Sequence, residues 1–113
     1  MSMKLSARLV TVEPYKIADL TAADTENYML DLSDIVPKET KAVLVRGNRV
    51  TGTGNLTALP MGSLTYSINC GNQDQKNISI VPIKDREFWW RLGMANDDWD
   101  LILFGYFVQR RTR

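Results

Sequence analysis

Hydrophobic and polar positions alternate with a period of two along much of this chain. Tyr28, Leu30 and Leu32 alternate with Met29, Asp31 and Ser33. Leu64, Tyr66, Ile68 and Cys70 alternate with Thr65, Ser67 and Asn69, and Phe88, Trp90 and Leu92 with Glu87, Trp89 and Arg91. This period places every second side chain on one face of an extended backbone, so each segment reads as a strand half buried against a core. Ala42–Val45 and Leu101–Phe104 are continuous apolar runs, the pattern of strands covered on both faces. Further strands are predicted at Lys4–Val12 and Asn77–Ile83. One short helix is predicted at Lys16–Asp24, where Ile17, Leu20 and Ala23 share a helical face.

Turn chemistry separates these segments. Val36-Pro37-Lys38-Glu39-Thr40 breaks one strand before the next, and Gly52-Thr53-Gly54-Asn55 with Pro60-Met61-Gly62 frames a looser connection. Cys70-Gly71-Asn72 and Ala95-Asn96-Asp97-Asp98 close two further strands. About seven strands joined by connections too short for crossover helices predict an antiparallel all-β fold. The expected architecture is a two-sheet β-sandwich of jelly-roll type, one domain over residues 1–113.

The final strand departs from simple alternation. Leu101, Leu103 and Phe107 fall on one face, and Ile102, Phe104, Tyr106 and Val108 on the other. A strand in an isolated two-layer sandwich has only one core to face. Gly105 reads as a β-bulge that shifts the phase and reconciles part of this, and a second subunit covering one face accounts for the rest, which predicts a homo-oligomer. Trp89 is the second departure: it shares the outward face of its strand with Glu87 and Arg91. It is either a contact residue or is covered by a loop or neighbouring strand. The candidate interface or ligand contacts are Trp89, Arg91, Trp99, Phe104 and Tyr106.

Composition narrows the chemistry. Hydrophobic residues make up 44% of the 113 positions and charged residues 24%, enough for a soluble domain with a core. A formal net charge of +1 supplies no field to steer nucleic acid or acidic lipid. No apolar run reaches the roughly 20 residues that span a bilayer. The start, Met1-Ser2-Met3-Lys4-Leu5, lacks the apolar region of a signal peptide, so the protein is expected to stay in a cytoplasm or enter a particle from there. The Asn-x-Ser/Thr triplets at Asn55 and Asn77 then read as chance matches.

Histidine is absent and Cys70 is the only cysteine. That removes the Ser–His and Cys–His nucleophile pairs, an intrachain disulfide, dithiol redox chemistry and a structural zinc site. Neither a cofactor nor a metal is expected, and the chain reads as a non-enzyme. Cys70 closes an apolar face and reads as a core thiol. Asp97, Asp98 and Asp100 form the densest acidic group. They lack the spacing and central glycine of a calcium loop and read as solvated acids of a turn. Asp19, Asp24, Glu26, Asp31 and Asp34 are explained by solvated faces and turns. Gly52-Thr53-Gly54 lacks the Lys-Ser/Thr of a phosphate loop. The basic tail Arg110-Arg111-Thr112-Arg113 reads as a solubilising terminus.

Two segments resemble a known group of proteins. Tyr28-Met29-Leu30-Asp31-Leu32-Ser33-Asp34-Ile35-Val36-Pro37-Lys38-Glu39-Thr40-Lys41-Ala42-Val43-Leu44-Val45-Arg46 has the form aromatic-x-apolar-Asp-Leu-Ser, an apolar-Pro turn, then Lys-Ala-Val-Leu-apolar-Arg. Trp99-Asp100-Leu101-Ile102-Leu103-Phe104-Gly105-Tyr106-Phe107 looks like a closing Leu-x-Gly-Tyr strand. Together they resemble small β-sandwich or jelly-roll domains of tailed-phage virion proteins, including head decoration (cement) proteins and tail-fibre modules. The resemblance implies a non-enzymatic virion part, often trimeric, that adheres to the major capsid protein or forms a tip. It brings no catalytic residues with it. A carbohydrate- or receptor-binding tip is the alternative, with Trp89 or Trp99 stacking on sugar rings.

Overall fold

Eight strands form where the period of two predicts most of them: β1 Ser6–Thr21, β2 Tyr28–Asp31, β3 Thr40–Thr51, β4 Leu56–Leu59, β5 Ile68–Gly71, β6 Ser79–Pro82, β7 Glu87–Leu92 and β8 Asp98–Arg110. They belong to a computed structural model that describes residues 6–60, 68–71 and 78–110. Leu64–Ser67 of the predicted fifth strand lie outside the described residues, as do Asn77, the first five residues and the last three.

The strands build two four-stranded antiparallel sheets, ordered β1-β8-β3-β6 and β2-β7-β4-β5. The first strand pairs with the last, the second with the seventh, the third with the sixth and the fourth with the fifth. That is one long antiparallel ribbon wound around itself until β3 meets β8 and β4 meets β7. A sandwich so wound is a jelly roll, the architecture expected from the sequence.

The inward faces follow the alternation. Val43, Val45, Val81, Trp99, Leu101 and Leu103 face Leu56, Ala58, Phe88, Trp90 and Leu92 across the sandwich, with Leu32, Val36 and Ile83 buried beside them. Each of the larger side chains removed from water this way contributes roughly 1.5–3 kcal/mol before conformational entropy is counted. Tyr28 caps one side by stacking on Trp90, with ring centroids 5.1 Å apart.

The helix predicted at Lys16–Asp24 is not formed, because β1 runs through to Thr21. Lys16 pairs with Ile102 and Ala18 with Leu101, so the register shifts across Ile17. The extra residue lets Ile17 and Ala18 both pack against the core that Leu20 enters. A bulge in a strand thus imitates helical spacing. β4 was missed for a different reason: with Leu56, Ala58 and Leu59 all buried, its four residues show neither alternation nor a long apolar run.

Gly105 does mark a phase shift. Leu44 pairs with Gly105 and Val45 with Leu103, leaving Phe104 without a partner on β3. Leu103 and Tyr106 therefore both face inward: Tyr106 pairs with buried Val43 and packs against the core. The placement of Tyr106 beside Ile102 and Phe104, and that of Phe107 beside Leu101 and Leu103, are both corrected by this bulge. A Cβ on Gly105 would lie 2.7 Å from the carbonyl oxygen of Val10, a backbone atom held in the β1–β8 ladder. Gly105→Ala is expected to lower stability by about 2 kcal/mol, the cost of overpacking a site that cannot yield. Urea unfolding measures it, and a loss of under about 0.5 kcal/mol would mean the ladder relaxes there.

Candidate functional site

The register places an apolar surface on the outside of the β1-β8-β3-β6 sheet. Leu9, Phe107, Ala42 and Pro82 stand opposite one another across all four strands. The next row is Thr11, Gly105, Leu44 and Ile80. Cross-strand partners share a face, and neighbours in these rows on the same strands, such as Val43 and Val81, are buried in the core. Leu9, Ala42, Leu44, Ile80 and Phe107 must then point away from it. Leu9 is 45% and Ile80 54% exposed, although an aliphatic side chain gains by leaving water. Ile102 and Phe104, half-buried, extend the surface along β8.

Beyond Ile102 the face turns polar. Lys16 and Arg46 flank Ile102, and Asp19 and Asn48 flank Asp100. Lys16 Nζ lies 3.0 Å from Asp19 Oδ1 and 3.7 Å from Asp100 Oδ1. Its hydrogen bond to Asp19 raises the Lys16 pKa and lowers that of Asp19. Solvent screens these exposed charges, so the cluster sets local geometry more than stability. The Arg46 guanidinium lies 5.1 Å from the Phe104 ring centroid, and its buried Nε has no hydrogen-bond acceptor among the described residues.

The opposite outer face is smaller. Trp89, 36% exposed, stands across from Met29, 51% exposed, in the β2–β7 ladder. Arg91 is exposed and pairs with Thr57 on β4. Trp89 and Arg91 thus share a surface, whereas Phe104 lies on the other sheet. Trp99, offered above as a contact, is fully buried in the core and has no surface with which to stack on a ligand. A concavity of about 360 Å³ is lined by Lys38, Glu39, Lys41 and Gln109, the first three of them exposed.

The acidic group at the β7–β8 turn is also corrected. Asp97 is buried, not solvated, and accepts hydrogen bonds from the backbone N–H groups of Thr53 at 3.3 Å and Gly54 at 2.7 Å. Asp100 instead faces Lys16. No group of three or more acidic or sulfur side chains able to hold a metal occurs among the described residues. The side chain of Cys70 lies outside what is described.

Asp31 behaves as a turn acid. Its Oδ1 accepts the Ser33 N–H at 2.8 Å, which holds its carboxyl below the ordinary value of 3.8. A depressed carboxyl stabilises the fold above its unfolded pKa, and that contribution is lost as pH falls through the folded value. NMR titration of the Asp31 side chain is expected to give a midpoint below 3.8, and Ser33→Pro, which removes the N–H, to return it upward.

The surface the sequence did not single out is the Leu9–Leu44–Ile80 side of the apolar face. Its signal was present in Asn77–Ile83, where Ile78, Ile80 and Pro82 alternate with Ser79, Val81 and Ile83. That strand, like β8, is apolar on both faces. No protein-family model, curated protein or solved structure matches this chain.

Proposed function

We propose that this chain is a non-enzymatic structural protein of a bacteriophage virion, a capsid decoration or cement protein that is assembled in the host cytoplasm and binds the capsid surface as a homo-oligomer. The observation that carries the reading is the apolar outer face of the β1-β8-β3-β6 sheet, with Leu9 and Ile80 about half exposed on it. Contiguous apolar surface on a small domain marks a surface used for assembly. The resemblance of the Tyr28–Arg46 and Trp99–Phe107 segments to phage virion modules supports the choice of a phage particle. A jelly roll presents two broad sheet faces on a rigid frame, so one can serve self-association while the other meets the capsid.

The test is immunogold labelling of purified phage particles from the organism that encodes the chain, with an antibody raised against it. Label on the heads supports the reading, and particles without label overturn it. Trp89 beside Met29 on an outer sheet face favours a second reading, a carbohydrate- or receptor-binding tail tip. An exposed indole offers a flat apolar face to a sugar ring. Label confined to tail tips, with glycan binding lost in Trp89→Ala, would replace the decoration reading with this one.

A further inference from the structure

We infer that the occupant of the apolar face is a second copy of this chain, covering the outside of the β1-β8-β3-β6 sheet through Leu9, Leu44, Ile80, Ile102, Phe104 and Phe107. The inference deepens the proposed function and rests on its homo-oligomer.

Three observations select a second copy over other partners. The first is charge. Lys16 and Arg46 are matched on this face by Asp19 and Asp100. A balanced face does not repel a copy of itself, and the net charge of +1 adds almost no repulsion over the whole chain. A nucleic acid or an acidic bilayer would instead be met by an excess of cations.

The second is area. β8 has 13 residues and β1 has 16. At about 3.3 Å per residue and roughly 4.8 Å between strands, the three long strands present a footprint of about 600 Å². A standard interface takes about 800 Å² from each partner, so most of one fits on this sheet. Aliphatic sheet faces also cover one another readily, as the two sheets inside this sandwich already do.

The third is Arg46. Its buried Nε has no acceptor among the described residues, although the guanidinium sits at the border of the apolar rows beside Phe104. The half-buried side chain keeps its outer guanidinium N–H groups at that border, and covering those without a partner is costly, so the surface that docks there must bring an acceptor. A second copy brings Asp19, Asp100 and Asn48 on the same face.

The experiment is the solution mass of the full chain by light scattering, for the wild type and for Leu9→Lys, Ile80→Lys and Met29→Lys. The exposure of these three positions lets each lysine reach water, and circular dichroism confirms that each variant folds. The wild type is expected at a multiple of 12.8 kDa. Leu9→Lys and Ile80→Lys are expected to fall to the single-chain mass while Met29→Lys, on the opposite face, keeps the assembled mass. A folded wild type that stays at 12.8 kDa at all concentrations overturns the inference. So does an assembly that survives both lysines, or one that only Met29→Lys breaks. Immunogold labelling separates the two proposals. Labelled heads with an assembly insensitive to Leu9→Lys and Ile80→Lys sink the face assignment alone. A lysine-sensitive assembly absent from particles sinks the virion reading alone.

Discussion

Asp97→Ala is expected to destabilise the fold by about 3 kcal/mol, with both affected donors left facing a cavity. The carboxylate is buried and spans two connections that lie far apart in sequence. Through Thr53 and Gly54 it holds the β3–β4 loop against the start of β8. Around it, the Gly93 N–H donates to the Asn55 carbonyl at 2.7 Å, and the Asn96 N–H to the Ala22 carbonyl at 2.7 Å. Three loops at one end of the sandwich are therefore knit together, with the acid at their centre. Gly52, at φ +116°, completes the site, because a Cβ there would fall on the Asp97 carboxylate. Charge-assisted bonds to buried donors contribute about 1.5–3 kcal/mol each, and the longer bond to Thr53 counts for less. Against a total stability of about 5–15 kcal/mol the loss is large, and it should lower the melting temperature by roughly 10 °C. Asp97→Asn keeps only one acceptor and is expected to fall between the two. A melting temperature unchanged in Asp97→Ala would mean that the loops hold themselves.

Most of the fold was legible wherever one face of a strand is wet. β7 is the clearest case: Phe88, Trp90 and Leu92 are buried while Trp89 and Arg91 are exposed, as alternation requires. The bulge at Gly105 was legible too, because a continuous apolar run with a glycine in it leaves few other solutions. Reading failed where a register shift changed the period, as at Ile17, or where a strand was too short to show one, as at β4. It also failed at the β6–β7 connection. Asp85 and Arg86 both take positive φ, 54° and 62°, in a two-residue turn bracketed by the Lys84–Glu87 bridge. Nothing in Asp-Arg announces a turn that usually calls for Asn-Gly.

The candidate site was legible only in part, for a reason that lies in tertiary structure. Phe104 was found because its own strand is apolar on both sides. Leu9, Leu44 and Ile80 join it only through pairing between strands, and no local pattern reports which strands become neighbours. Asp97 is the same case in reverse. Its partners are 43 and 44 residues away, so sequence alone could see only an acid in a turn.

Trp99 shows how one misjudged residue carries a large energetic consequence. Its indole is fully buried between the sheets, opposite Leu20 on β1 and Arg49 on β3. The Arg49 guanidinium lies 5.9 Å from the ring centroid and donates to the Gly54 carbonyl at 3.2 Å. The ring thus supports the residue that reaches the same loop Asp97 holds. Trp99→Ala is expected to cost about 4 kcal/mol, from lost apolar burial and the cavity left behind. That loss would leave many copies unfolded near the upper working temperatures of an ordinary domain. The buried indole Nε1 has no hydrogen-bond acceptor among the described residues, so its polar group adds nothing to the fold. Trp99→Phe therefore removes only part of the ring and relieves an unpaired donor, and about 1 kcal/mol is the expected loss. Urea unfolding of the two variants checks both figures. Trp99→Phe as damaging as Trp99→Ala would show that the indole N–H is held after all, and two near-neutral variants would place Trp99 outside the core.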